Sequence, residues 1–214
     1  MKVLLFGASG NIGEAIAREL VARGHTVTGA TRRGATVEGL DIAVVPANVT
    51  DVEDVAALAV GQDAIVSAVG PRHGVDADDG TALFVGAAHA LVDGARKAGV
   101  RRLVVVGGAG SLEIAPGVRL VDSPEFLDAW KPNALAQTAA LDVYRTIDDL
   151  DWTYISPAAL IEAGERTGRY RTGGEQLLTD DQGKSRITYA DYAIALVDEL
   201  EQRNAAGRRI TVAY

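Results

Sequence analysis

Continuous apolar runs and amphipathic stretches alternate along the chain. "KVLLF" at 2–6 is an apolar run of strand length, and "NIGEAIARELVARG" places Ile12, Ile16 and Leu20 at helical spacing. "HTVTGAT" and "DIAVVPANV" read as a second and a third strand, and "DVEDVAALAVG" as a helix that Asp51 can cap. "DAIVSAVG" and "RLVVVGG" are rich in β-branched residues, which suits strands covered on both faces. Between them the pattern predicts a helix from about Thr81 to Ala98, with Leu83, Ala87, Leu91 and Ala95 along one stripe and Gly99 as its stop. A helix from about Ala134 to Asp148 leads into "DWTYISP", a sixth strand; a helix from about Tyr189 to Gln202 and a last strand, "RRITVAY", follow. Strands alternating with helices predict an α/β, doubly wound parallel sheet with right-handed crossovers. With no repeat and no composition break, residues 1–214 read as one domain.

The first turn carries the most chemistry. In "GASGNIG", Gly7 permits the tight turn, Gly10 lets an anion approach the backbone, and Gly13 lets the helix pack against the strand. The free N–H groups of that helix then face a pyrophosphate, which makes the domain Rossmann-like. An NAD-selective site offers Asp or Glu at the end of the second strand, but no carboxylate occurs between Glu19 and Glu38. Arg32 and Arg33 stand there instead, suited to a 2′-phosphate, so NADP(H) is expected in preference to NAD(H). Asn48, after the third strand, is placed to meet the adenine edge, and Ala68, Val69 and Gly70 to line the nicotinamide side. Pro157, closing the sixth strand, completes the expected cofactor set. Long connections follow the carboxyl ends of strands four, five and six, at 70–80, 107–132 and 157–186. In an open parallel sheet those ends share one edge, so these loops are expected to form the substrate site.

Composition narrows the picture. Hydrophobic residues make up 48% of the 214, ample for a core, and without cysteine there are no disulfides or thiolate metal sites. The net charge of −8 disfavours a nucleic-acid partner, and no apolar run approaches a membrane span. A cytoplasmic monomer or small homo-oligomer acting on a small molecule is expected. The basic pairs Arg96–Lys97 and Arg101–Arg102 are read as complementing a helix C-terminus and solvating a loop.

"GASGNIG", "VVVGGAGSL", "DWTYISPAALIEAGERTGRYR" and "RITYADYAIALVDELE" together make the chain resemble the atypical short-chain dehydrogenase/reductases, and within them the NAD(P)H-binding, NADH:flavin reductase-like branch. The resemblance spans nearly the whole chain. It implies a Rossmann domain with Gly7, Ser9, Gly10, Asn11, Ile12 and Gly13 around the pyrophosphate. The wider superfamily uses Tyr-x-x-x-Lys as its proton-donating pair. Here none of the six tyrosines has Lys four residues on, so that pair is absent.

The remaining candidates are isolated. Ser111 is a candidate polar contact to substrate or nicotinamide, or else a turn serine. Trp130 is able to stack on a planar ligand, whereas Trp152 opens a strand and is expected in the core. Lys131 is read as solvated. His73 belongs to a site-facing loop, while His25 and His89 fall at a turn and on a helix; no metal-ligand spacing results. The acidic run "DADDG" at 76–80 reads as a helix cap. Arg166, Arg169 and Arg171 either attract an anionic substrate or form a solvated hairpin. Hydride transfer to a flavin or quinone-like ring needs no dedicated Tyr–Lys acid, so an NADPH-dependent reductase of a planar acceptor is expected. The alternatives are an NADP(H)-sensing protein without catalysis, and a specialised-metabolite reductase or isomerase.

Overall fold

The first apolar run becomes strand β1 (Lys2–Phe6), buried beyond its first residue, and the glycine turn leads into helix α1 (Asn11–Ala22). Strands β2 (Thr26–Thr31) and β3 (Ala43–Pro46) follow, then α2 (Val52–Ala59), where the Asp51 carboxylate accepts from the N–H groups of Glu53 and Asp54 at 2.8 and 3.2 Å. Next come β4 (Ala64–Ser67), α3 (Gly80–Ala98) and β5 (Arg102–Val106). The stretch after β5 carries a small hairpin of β6 (Glu113–Ala115) and β7 (Val118–Arg119) before α4 (Lys131–Arg145) and β8 (Asp151–Ser156). The stretch after β8 carries β9 (Leu160–Glu162), β10 (Arg171–Gly173) and β11 (Arg186–Thr188), and the chain continues through α5 (Tyr189–Gln202) and β12 (Arg208–Ala213). The computed structural model describes residues 1–70 and 80–214. His73 and most of the 70–80 loop, including Asp76, Asp78 and Asp79, lie outside the described residues.

The main sheet runs β10-β12-β8-β5-β4-β1-β2-β3. All its pairings are parallel except β10 with β12. The exception has a plain cause: β10 is reached by a loop rather than a crossover helix, so the chain can run back along its neighbour. Helices α2, α3 and α4 pack together over one face, around Leu4, Ile65, Leu103 and Trp152. The other face is covered by α1 and α5, around Val3, Leu5, Ile16, Leu196 and Val212. From β1 the chain builds outward to β2 and β3, then returns to lay β4 on the other side. The switch point between β1 and β4 therefore lies directly under the glycine turn.

Two expectations change. Helix α4 begins at Lys131 rather than Ala134, because Pro132 falls in the first turn, where its missing N–H costs no helical hydrogen bond. Arg102 does not solvate a loop. It is a strand residue with a fully buried guanidinium that donates to Glu199 Oε1 at 2.9 Å and Thr153 Oγ1 at 2.8 Å. Arg96 and Lys97 do sit in the last turn of α3, where they pair with Asp149 and Glu53.

Candidate nucleotide and acceptor site

Each glycine of the turn has its own steric reason. Gly7 adopts φ +79°, and a Cβ there would lie 2.5 Å from the Ala68 carbonyl oxygen. A Cβ on Gly13 would lie 2.0 Å from the Gly7 carbonyl oxygen, so α1 can rest on the turn only with glycine at that position. Gly10 differs: its nearest neighbour would be the Gly7 oxygen at 3.5 Å, an ordinary contact. The described residues leave that space open. Gly10 is the N-cap of α1, extended at φ −85° and ψ 163°, and no side chain among the described residues caps the helix. Ser9, Gly10 and Asn11 are exposed, Ile12 is half-buried and Gly13 buried. First-turn N–H groups that no described side chain caps, beside a Gly10 backbone with room where a Cβ would stand, fit a pyrophosphate group.

The neighbours converge as the sheet order requires. Gly7 N–H donates to Ala30 O and Ala68 N–H to Phe6 O, both at 2.9 Å, which ties the turn to the ends of β2 and β4. Arg32 and Arg33, both exposed, follow β2 directly and so stand at the carboxyl edge beside the turn. Ala68, Val69 and Gly70 follow β4 on the opposite side. Asn48 is exposed, but its Oδ1 is already used by the Thr50 N–H and hydroxyl at 3.1 and 2.8 Å, which leaves its amide N–H₂ as the group able to donate to a ligand. Pro157 is buried just past the end of β8.

On the far side, the Gly107–Gly108–Ala109–Gly110 loop after β5 is overlaid by the start of α4. A Cβ on Gly108 would strike Gln137 at 2.7 Å, and one on Gly110 would strike Ala134 at 2.6 Å. One turn earlier, at the N-cap of α4, Trp130 is 55% exposed, whereas Trp152 is core at 3%. Lys131 pairs with Asp128 at 2.7 Å. A small cavity of about 20 Å³ at β4 and β5, lined by Ser67, Val69 and Tyr154 among others, has room for about one water and none for a ring.

Ser111 has a specific partner that sequence did not disclose. The buried Arg209 guanidinium, on β12, donates through Nη1 to Ser111 Oγ at 3.5 Å and Ser156 Oγ at 3.3 Å. Its Nη2 is held by the Glu175 carboxylate. One cation thus ties the loops after β5 and β8 to the last strand. The only hint in the sequence is an arginine on the same strand face as Thr211 and Ala213, a weak signal.

Four of the six tyrosine hydroxyls are bonded within the protein. Tyr154 OH donates to Gln137 O at 3.1 Å and accepts from Gly108 N–H at 3.2 Å, and burial pushes its phenol up to about 12. Tyr192 OH donates to Ile155 O at 2.6 Å. Burial also raises Tyr144 and Tyr192 well above the ordinary phenol value. Tyr170 OH bonds Asp198, and Tyr214 OH bonds Asp191 at 2.7 Å. Tyr189 opens α5. Arg166 is bound twice to Glu19, at 3.0 Å each, and its charge is neutralised there.

This fold and turn define a Rossmann protein of the NAD(P)H-binding kind. A model of the NAD(P)H-binding family matches residues 7–202, and the chain belongs to that family, within the atypical short-chain dehydrogenase/reductases. A Burkholderia pseudomallei structure, provisionally described as an exported protein, is 50% identical, covers 100% of both chains and has a TM-score of 0.91. A Bacteroides thetaiotaomicron structure, provisionally described as an epimerase, is 37% identical over 100% of this chain and 96% of its own, with a TM-score of 0.89. A Streptococcus pneumoniae structure, provisionally described as an NADH-flavin reductase, is 36% identical over 100% of this chain and 99% of its own, with a TM-score of 0.86. No helix among the described residues is long and apolar enough to cross a membrane.

Proposed function

We propose that the chain is an NADPH-dependent reductase of a flavin or another planar, conjugated acceptor. The observation that carries this reading is the state of the phenols among the described residues: the hydroxyls of Tyr154, Tyr170, Tyr192 and Tyr214 are bonded within the protein, burial raises Tyr144 out of the working range, and Tyr189 sits at the start of α5 with no lysine four residues on. Reduction of an isolated ketone gains strongly from such an acid, whereas a reduced flavin or quinone can take its proton from water. The bound nucleotide would supply the hydride. The first-turn N–H groups of α1 would hold its pyrophosphate, Arg32 with Arg33 its 2′-phosphate, and Asn48 the adenine edge. Ala68, Val69, Gly70 and Pro157 would border the nicotinamide. Trp130, exposed above the β5 loop, offers the acceptor a stacking face, and the name of the Streptococcus pneumoniae relative points the same way. Ser111, steadied by Arg209, would orient the ring. The reading places the protein in the cytoplasm with its NADPH supply, as a monomer or small homo-oligomer built as one domain on residues 1–214.

Purified protein should oxidise NADPH when FMN, FAD, riboflavin or a quinone is added, and hardly at all with aliphatic ketones. Tyr154→Phe should stay within a few-fold of wild type, since a general acid would contribute about 100- to 10,000-fold. Abolished turnover in that variant with NADPH still bound would overturn the proposal. The same committed hydroxyls also suit a protein that senses NADP(H) without turning it over. Tight NADPH binding with no turnover on any acceptor would favour that second reading.

A further inference from the structure

Most arginines of this acidic chain stand beside a carboxylate. Arg23 touches Asp198 and Glu201, Arg96 reaches Asp149, and Arg102 and Arg209 bury their charge against Glu199 and Glu175. Arg169, Arg171 and Arg186 make no direct salt bridge to Asp or Glu among the described residues, although Arg186 lies near enough to Asp180 to help lower its pKa, and all three line one open cleft of about 660 Å³. Tyr170, Tyr214, Thr167 and the single acidic residue Glu165 complete its wall. Arg171 is steadied by the backbone carbonyls of Thr179, at 2.8 Å, and of Tyr214. Arg186 lies over the Tyr214 ring, 5.8 Å from its centroid. The Tyr214 hydroxyl is in turn held by Asp191. Two guanidinium groups are therefore placed in advance, and Arg169, on an exposed loop, can swing onto whatever binds between them.

From these observations we infer that the cleft is a binding site for a small phosphate-bearing molecule, distinct from the glycine turn. Three like charges gathered at one opening repel one another and are relieved by an anion, and the guanidinium fork matches phosphoryl oxygens through charge-assisted hydrogen bonds. A phosphoryl group offers three terminal oxygens to three arginines, one more than a carboxylate has. The cleft is of a size that takes a metabolite rather than a lone ion. Its position separates it from the pyrophosphate: the segment forming its wall meets α1 through Arg166 at Glu19, nine residues beyond Gly10, about 13.5 Å along the helix at about 1.5 Å per residue. A pyrophosphate seated at α1 does not reach it. The site rests on this geometry alone and holds whether or not the protein is a reductase.

The test is calorimetric titration of the full chain with pyrophosphate, inorganic phosphate and citrate at low ionic strength, with NADPH saturating throughout so that the glycine turn is filled. Pyrophosphate should bind, phosphate more weakly, and citrate worst. Arg169→Gln, whose side chain holds no part of the fold, should weaken pyrophosphate about tenfold, the loss of one charge-assisted contact. Arg186→Gln should do the same, and both variants should keep the wild-type NADPH affinity. No pyrophosphate binding to wild type at millimolar concentration would overturn the inference, as would unchanged affinity in both variants. Citrate binding as tightly as pyrophosphate would overturn the phosphate assignment.

Discussion

Helices α1 and α5 pack side by side on the same face of the sheet, yet their N-termini are opposites. At α5 the chain supplies its own caps. The Thr188 hydroxyl accepts from Asp191 N–H at 3.2 Å, and the buried Asp191 carboxylate gathers the N–H groups of Thr167 and Gly168, the Thr167 hydroxyl and the Tyr214 hydroxyl. At α1 the N-cap is glycine, no side chain among the described residues reaches back, and Ser9, Gly10 and Asn11 face solvent. One helix end is a closed structural joint; the other leaves its N–H groups for something from outside. The difference separates residues that hold the fold from residues that wait for a ligand, although both regions are loop followed by helix.

The sharpest way to break the comparison is at α5. Asp191→Ala removes one anion from four donors and should destabilise the protein by about 3 kcal/mol, given about 1.5–3 kcal/mol for a hydrogen bond to a charged group and partial rescue by water. Denaturant unfolding measures this. The same carboxylate sets an acid limit. Burial pushes its pKa up, but the hydrogen bonds from Thr167, Tyr214 and Gly168 outweigh that and hold it below the ordinary value. A depressed native pKa contributes stability that is present above the unfolded value of about 3.9 and lost as pH falls through the native one. Stability should therefore drop in that window for wild type, and Asp191→Asn should show a shallower drop.

At α1 the expected outcome is the reverse. A Cβ on Gly10 meets only an ordinary contact within the protein, and its extended backbone accepts a β-branched residue, so Gly10→Val should fold with nearly the wild-type unfolding midpoint. NADPH affinity should fall on the order of 100-fold, because the new side chain occupies the pyrophosphate's approach. Unchanged affinity in the folded variant would remove α1 from the proposed site. A smaller effect sharpens the picture at the neighbouring edge: Arg32→Ala should cost about 10- to 100-fold in NADPH affinity and leave NADH nearly untouched. Equal losses for both nucleotides would give Arg32 a structural role instead.

Sequence disclosed what depends on local pattern. The strands of the parallel sheet follow from short apolar runs, the stop of α3 from Gly99, the cap of α2 from Asp51, and the turn from three glycines whose crowding is a matter of backbone geometry. Hidden from it were interactions between residues far apart in the chain. Arg102 finds Glu199, Arg209 finds Glu175 and Ser111, and Asp191 finds Thr167 and Tyr214 only after the sheet has formed. The arginine group in "GERTGRYR" was legible as a group but not in its division: Arg166 is taken by Glu19, and its place beside Arg169 and Arg171 goes to Arg186. The direction of β10 was equally invisible, because a three-residue strand carries too little pattern to reveal which way it runs.

The two borders of the sheet have a consequence for life at high concentration. One border is β3, four residues long and ending in Pro46, which has no N–H to offer; the other is β10, three residues beginning with a charged arginine. Long, flat, apolar borders recruit strands from other molecules and seed aggregates, and short ones interrupted by proline or charge offer a poor template. By ending in such fragments, an apolar sheet of eight strands is guarded against growing into its neighbours.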